Sequence, residues 1–515
     1  MKWTLTHNDK MLTLTEASSL EIDQLNLSFE REVANARWDP RVKKGWWNGK
    51  ISYFKSNRYL PSGLWNEVVD LCKQYNFELQ IDGIERKFDK SIDMDSFQEW
   101  VDQKWANAEM KPRDYQVATV FNIIKYQNCL AELATSAGKT LITYMTLAYL
   151  LETEKSKKIL MIVPTVDLVV QGTEDFYQYN EESCKLKMEI QQIYAGSIIR
   201  QNANIVIGTY QSLVKKDNSY FDNFDTVIVD ETHKAKSASI KTILEKCENA
   251  TRKFGLSGTI PKPGTLDRLT LMAYTGPIIQ SIRADYLIEK GHITPCEVYV
   301  IEMDYAKPEV KEGFKTLFQR TEEDRKRLLN LEQQYAIQSP ERLEFITDTI
   351  LKNKKNALVL FYRIDYGNKL YEKLRQKSNR KIFYIDGNTD KDLREYQKDD
   401  LESGEGKIMI ASYGTFSTGI NVKNIHTIFL TESFKSEVII RQSIGRGLRK
   451  HIDKDKLVII DFVDDYCVGR FKNYLYKHSE ARQEIYADQN FPYSIRKVDL
   501  NKIYTKNSQN NNGIA

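Results

Sequence analysis

The chain has 515 residues, of which 41% are hydrophobic and 11% aromatic, and it carries a net charge of +4. That length exceeds one hydrophobic core and predicts roughly two to four domains, while the near-balance of charge neither demands nor excludes a polyanionic partner. No stretch approaches the roughly 20 apolar residues of a bilayer-spanning helix, the start Met1-Lys2-Trp3-Thr4 lacks an apolar secretory region, and the six cysteines form no CxxC pair, so they are expected reduced and mostly buried in a cytosolic protein.

Residues 1–108 combine short strand-like and helix-like runs with interleaved basic and aromatic side chains, and are expected to form a small α+β accessory domain. Its centre runs from Arg37 to Lys50, where Arg37, Arg41, Lys43, Lys44 and Lys50 lie close to Trp38, Trp46 and Trp47. Cations of this kind neutralise phosphates without reading sequence, and an exposed indole can stack on an unpaired base. The tryptophans are expected to be mostly core and the cations to face DNA; the alternatives are indoles that stack on bases and cations that only solvate the rim. Leu64 to Tyr75 reads as an amphipathic helix.

From about Lys111 helical stretches alternate with apolar strands: Lys158–Val163, Ile205–Gly208, Thr226–Val229 and Phe254–Leu256. Such runs predict a parallel sheet covered on both faces. A second series reads Ala357–Phe361, Lys381–Ile385, Lys407–Ala411, His426–Leu430 and Leu457–Asp461. Two similar α/β units result, here bounded at 109–280 and 281–480. Residues 280–340 read as polar and helical, with Glu322–Arg327 a charge run on a solvated face rather than a binding patch. Residues 481–515 form a tail whose Asn/Gln-rich end, from Lys506, is expected to be disordered.

Three strings carry the chemistry. In Thr135-Ser136-Ala137-Gly138-Lys139-Thr140, backbone N–H groups at a helix N-terminus can cradle phosphates. Gly138 allows close approach, Lys139 reaches the β- and γ-phosphates and Thr140 holds Mg²⁺. One departure stands out: the full phosphate-loop pattern wants glycine at position 133, which is Leu133. In Asp230-Glu231-Thr232-His233, two acids end an apolar run. Asp230 is placed to serve Mg²⁺ and Glu231 to orient and deprotonate an attacking water. In the third string, Gln442 to Arg449, Arg446 and Arg449 are three apart, on one face of a helix. There they can stabilise charge on a transferred phosphoryl group. The histidines are scattered, and no His/Cys set has zinc-ligand spacing.

In order and spacing over Lys111 to Lys450, these strings resemble the superfamily-two helicases of the DExH branch. Arg113-Asp114-Tyr115-Gln116 is similar to the adenine-reading segment, and Leu256-Ser257-Gly258-Thr259 to the segment coupling hydrolysis to movement. Within the superfamily the likeness is strongest to phage recombination and branch-migration helicases, and it extends through Asp39-Pro40-Arg41 and Gly45 to Lys50. The resemblance implies two tandem RecA-like lobes with parallel sheets and ATP with Mg²⁺ between them. It implies nucleotide contacts from Arg113, Gln116, Gly419 and Asn421, with Gln442 beside the arginine pair. Thr165, Thr209 and Thr415 would grip a strand backbone, as would Arg41, Lys43, Lys44 and Trp46 of the accessory domain; such contacts position without specifying sequence. His233, Ser257 and Thr259 would couple the two sites. The implied function is ATP-driven remodelling of branched DNA, namely Holliday junctions, forks, D-loops or R-loops. The implied partners are branched or single-stranded DNA, RNA–DNA hybrids and recombination or single-strand-binding proteins, in the cytoplasm of a bacterial host. An RNA helicase, a restriction-enzyme motor and an annealing switch that does not unwind remain open alternatives.

Overall fold

The computed structural model describes residues 1–54, 58–195, 202–231, 237–419, 422–434 and 436–503. It divides into two compact units, Met1–Ile282 and Arg283–Ala515.

The first unit opens with a four-stranded sheet. Its strands are β1 (Lys2–Leu5), β2 (Met11–Glu16), β5 (Tyr59–Pro61) and β6 (Gln80–Asp82), in the order β5-β2-β1-β6. A separate antiparallel pair, β3 (Glu30–Glu32) and β4 (Lys50–Ser52), carries the basic aromatic segment as its loop. The predicted helix is present as Trp65–Tyr75, and it buries Val68, Leu71 and Cys72. This region shares its core with the larger sheet of the same unit. Trp3, Leu12, Leu60 and Val68 belong to the same apolar cluster as Leu130, Leu160, Val227 and Met272. The approach is close: a side chain at Gly63 would strike Met272 O at 2.2 Å. Residue 108 therefore marks no break in packing.

That larger sheet has seven parallel strands: β7 (Asn128–Leu133), β8 (Ile159–Val163), β9 (Ile190–Ile193), β10 (Ile205–Thr209), β11 (Thr226–Asp230), β12 (Arg252–Ser257) and β13 (Ile278–Ile282). Their order is β13-β7-β12-β11-β8-β10-β9. β8 is buried at every position, as a strand covered on both faces must be. Four strands were visible as apolar runs; β7, β9 and β13 were not, because polar residues interrupt them.

The second unit repeats the plan. Its strands are β14 (Cys296–Asp304), β15 (Ala357–Phe361), β16 (Ile382–Ile385), β17 (Ile408–Ser412), β18 (Thr427–Leu430), β19 (Leu457–Asp464) and β20 (Tyr493–Asp499). They form a parallel sheet ordered β16-β17-β15-β18-β19-β14-β20. Two sequence readings are corrected here. The segment 280–340 is not helical throughout, since Cys296–Asp304 is a nine-residue strand between β19 and β20. Its alternating burial, with Glu297, Tyr299 and Ile301 half-exposed, hides it among polar neighbours. Residue 480 is not the start of a tail, because it falls inside the helix Tyr474–Asp488, which leads to β20. The charge run begins the helix Glu322–Gln338 and is solvated, with Glu322–Lys326 and Glu323–Arg327 pairs along it. The tail from residue 504 lies outside the described residues.

All six cysteines are free thiols, five buried and Cys467 half-buried. Among the described residues no helix is long and apolar enough to cross a membrane, and no cluster of metal-ligating side chains occurs.

Candidate nucleotide and nucleic-acid sites

The phosphate-loop string lies at the carboxyl end of β7. Leu133 is the last strand residue, fully buried and paired with Ile282 of β13. The missing glycine therefore falls in the sheet, and the turn itself begins at Ala134, whose carbonyl accepts from Ala137 N–H at 2.9 Å. Ser136 and Gly138 both adopt left-handed backbone, with φ of 76° and 78°, an arrangement that turns successive N–H groups toward one hollow. Glycine is required at 138, because a Cβ there would lie 2.3 Å from Gln116 Nε2. The helix Lys139–Glu152 follows, buried from Leu141 to Leu150. Lys139 and Thr140, half-buried, open it.

The segment Arg113–Gln116, expected to read adenine, grips this loop. Gln116 is buried; its Oε1 accepts from Arg113 N–H at 2.8 Å and its Nε2 donates to Ala137 O at 3.0 Å. Tyr115 OH donates to the same carbonyl at 2.8 Å. Gln116 is therefore directed at the loop backbone. Tyr115, which the sequence reading passed over, lies inside the string Arg113–Gln116 that already flagged the place.

Asp230 ends β11, and its Oδ1 accepts from Glu231 N–H at 2.9 Å. Glu231 stands just beyond the strand in left-handed backbone, φ 50°, a conformation that costs of order 1 kcal/mol for a non-glycine residue. That kink faces its carboxylate toward the phosphate loop. Lys139 Nζ lies 3.1 Å from Glu231 Oε1, with the two side chains 14% and 13% exposed. The two members identified from separate strings thus meet as an ion pair. β12 lies between β7 and β11 and brings a third string to the same place. Ser257 Oγ donates to Thr259 O at 2.6 Å, and a Cβ on Gly258 would sit 3.3 Å from Lys139 Nζ and 3.5 Å from Thr135 Oγ1. Gly258, between the two named residues Ser257 and Thr259, lies against the loop. Thr232 and His233 lie outside the described residues.

Thr165 caps the helix Val166–Glu182, its hydroxyl accepting from Leu168 N–H. Thr209 ends β10, buried, with its hydroxyl donating to Ser212 Oγ at 3.1 Å. Both stand at the carboxyl edge of the sheet, Thr165 just beyond β8 and Thr209 as the last residue of β10. In the accessory region Trp46 is 76% and Trp38 47% exposed, so the core reading of these two indoles is wrong. Trp3, by contrast, lies in the core and packs edge-on to Phe54. Trp47 is pinned, its indole N–H donating to Lys50 O at 2.8 Å. The cations lie over the rings: Lys43 and Arg37 over Trp38, Lys44 over Trp46, and Arg41 over Trp47. Arg41 also makes a two-pronged pair with Asp39, at 3.1 and 2.9 Å. It is therefore partly neutralised, unlike the reading that treated it as one cation among equals.

In the second unit, Thr415 is buried on the helix Tyr413–Gly419, where its Oγ1 accepts from Ser412 Oγ at 2.8 Å. Gly419 closes that helix, and Asn421 lies outside the described residues. Gln442 is buried on the helix Glu437–Gly447. Arg446 donates to Phe416 O and its guanidinium lies 5.8 Å from the Phe416 ring centroid, which ties it to the helix that carries Thr415. The two arginines do not share a helix face. The helix ends at Gly447, Leu448 is its cap, and Arg449 lies in the turn beyond. Gly447, the last helical residue, is pressed against the sheet: a Cβ there would lie 2.6 Å from Ile428 Cδ1.

A parallel seven-stranded sheet with a phosphate loop, a strand-tip acid pair and a third string on the strand between them, followed by a second sheet of like order bearing an arginine helix, defines a superfamily-two helicase. The comparisons agree. Residues 109–262 match the family of the type III restriction enzyme res subunit, 341–451 the helicase conserved C-terminal domain, and 12–82 the N-terminal part of DNA helicase UvsW. The chain is 31% identical over 495 residues to the ATP-dependent DNA helicase UvsW of Enterobacteria phage T4, covering 92% of this chain and 94% of that protein. Two solved structures share the fold. The Type ISP restriction-modification enzyme LlaBIII bound to DNA is 15% identical, with a TM-score of 0.56 over 76% of this chain and 32% of that one. Dbp5 of S. cerevisiae bound to RNA and ADP BeF3 is 14% identical, with a TM-score of 0.51 over 76% and 91%. The chain belongs to the UvsW family of ATP-dependent helicases. It is an ATP hydrolase whose turnover is coupled to unwinding.

Proposed function

We propose that this helicase remodels branched DNA, namely Holliday junctions, forks, D-loops and R-loops, in recombination, repair and replication. The observation that carries this reading is the accessory region: it matches the N-terminal part of UvsW and presents solvent-facing indole–cation pairs at Trp38 and Trp46. Lysines there neutralise phosphates, and an exposed indole stacks on a base freed at a branch point.

In the turnover, Lys139 leaves Glu231 for the γ-phosphate. Glu231 then accepts the proton of the attacking water, and Arg446 and Arg449 stabilise charge on the phosphoryl group in flight. Thr140 and Asp230 offer hard oxygen donors, a set that suits Mg²⁺. When bound, the ion neutralises phosphate charge. Gln116 and Arg113 fix the loop next to the base. Thr165, Thr209 and Thr415 belong to the edges that hold a strand, and Ser257, Thr259 and His233 link the two events. The setting is the cytoplasm of a bacterial host, with recombination or single-strand-binding proteins as partners.

The test is ATP hydrolysis across single-stranded DNA, duplex, fork, four-way junction, RNA–DNA loop and RNA. Stimulation greatest with forks and junctions is expected. Equal stimulation by all DNA forms, preference for RNA, or no stimulation by any nucleic acid overturns the reading, the last in favour of an annealing switch.

A further inference from the structure

We propose that Lys454 and Arg482, two buried cations outside the motif strings named above, are positioning residues that hold the two ends of the helix bearing Arg446. The proposal rests on the reading of Arg446 and Arg449 as phosphoryl-stabilising groups.

At the far end, the helix stops at Gly447 and the chain turns into Arg449. Lys454 Nζ donates to Gly447 O and to Lys423 O, both at 2.8 Å. Lysine is almost never fully buried unless paired, yet Lys454 is 6% exposed and its two partners are backbone carbonyls rather than a carboxylate. Burial pulls its amine down to about 8, with Arg449 adding to the effect and Glu402 opposing it. A cation kept at that expense, on the terminal carbonyl of a helix, acts as a cap on the negative end of the helix dipole. The turn it secures is tied on its other side by Thr294, whose N–H donates to Leu448 O at 2.8 Å. Arg449 is therefore carried on a turn fastened at both flanks.

At the near end, Arg482 is fully buried and makes a two-pronged pair with Asp461, at 2.8 and 2.7 Å. Its remaining nitrogen reaches forward, donating to Phe434 O at 3.3 Å. Phe434 stands at the entry to the arginine helix, and its ring stacks on Tyr413, centroids 5.1 Å apart. Tyr413 opens the helix that holds Phe416, the contact of Arg446. The helix carrying Arg482 also holds the middle of the arginine helix, through Asp488 and Arg441 at 2.6 Å. Tyr474–Asp488 is thus a brace lying along the helix that bears Arg446.

A guanidinium stabilises a transferring phosphoryl group only where it is correctly placed, and a displacement of about 1 Å costs on the order of a hundredfold in rate. The test uses the full chain with saturating single-stranded DNA, so that junction preference plays no part. Lys454→Met, Arg482→Lys and Arg446→Ala are compared by kcat, KM for ATP and melting midpoint. Arg482→Lys keeps the charge on Asp461 and loses the reach to Phe434. The expected result is a fall in kcat of about ten- to a hundredfold for Lys454→Met and Arg482→Lys, with KM and melting midpoint close to wild type. Wild-type kcat in both variants while Arg446→Ala is impaired overturns the brace alone. Wild-type kcat in Arg446→Ala overturns the arginine reading, and the brace with it. Loss of kcat that tracks loss of folded protein overturns the positioning role.

Discussion

Glu231→Gln preserves side-chain volume and removes one charge from the Lys139–Glu231 pair. Two unit charges at 3.1 Å attract by about 5 kcal/mol at an effective dielectric of 20, a gross figure largely offset by desolvation of both groups. If about 1 kcal/mol of net pairing remains, an incoming γ-phosphate no longer has to displace it, and ATP should bind roughly fivefold tighter. The same change removes the proton acceptor, and hydrolysis should fall by about two to four orders of magnitude. The two effects have opposite signs, so simple misfolding cannot mimic them. The assay pairs equilibrium binding of ATP to Glu231→Gln with steady-state phosphate release on single-stranded DNA. Turnover within tenfold of wild type refutes the base assignment. Tenfold weaker ATP binding refutes the view that the carboxylate competes with phosphate for Lys139.

Three further outcomes concern other regions. Arg41, Lys43 and Lys44 changed together to Ala should weaken DNA binding while ATP binding holds, and should lower the slope of log affinity against log salt by about two to three; an unchanged slope in a mobility-shift titration removes these cations from the interface. Lys87 is 8% exposed, and burial lowers its amine from 10.5 to about 8. Between pH 8 and 10.5 the unfolded chain holds a proton that the folded chain has released, so wild-type stability should climb relative to Lys87→Met across that window, with the variant the more stable at pH 7 by up to about 3 kcal/mol; a pH-independent difference in denaturant unfolding refutes this. Asp464→Asn should cost the second unit about 3–5 kcal/mol, because Arg342 and Asp464 pair at 2.6 Å with both side chains 1% exposed; a denaturation midpoint close to wild type contradicts it.

The residues proposed to meet phosphate were legible because their chemistry is local: a turn, a lysine and an acid pair each occupy a few adjacent positions. Strands buried on both faces were legible for the same reason, as in Ile159–Val163 and Ala357–Phe361. What escaped is what the rest of the chain supplies. Cys296–Asp304 alternates polar and apolar residues among helices, and only its pairing with β19 and β20 reveals a strand. Arg449 looked helical from its spacing to Arg446, but the helix ends at Gly447, between them. Trp38, Trp46 and Trp47 share one composition, yet two face solvent and one is held by Lys50 O, which composition cannot distinguish. Lys454 and Arg482 carry no local signature, since each is defined by carbonyls and a carboxylate 7 to 48 positions away.

Strand order explains why the first unit's strings converge as they do. In the chain, β7 is followed by β8, but in the sheet β12 and β11 stand between them. Such a reversal opens a crevice at the carboxyl edge, where ligands of parallel sheets bind. It also sorts the edge into two stretches. β7, β12 and β11 carry the phosphate loop, Gly258 and Asp230-Glu231, while β8 and β10 carry Thr165 and Thr209. Because β12 is the neighbour of both β7 and β11, the string Ser257-Gly258-Thr259 touches Lys139 without belonging to the loop. A side chain at 258 would have to push against Lys139 Nζ or Thr135 Oγ1, so any movement of Lys139 from Glu231 toward a phosphate alters the space over β12 first. If Ser257 and Thr259 couple hydrolysis to movement, as proposed above, the glycine between them is the residue beside Lys139 Nζ at which that movement would be felt.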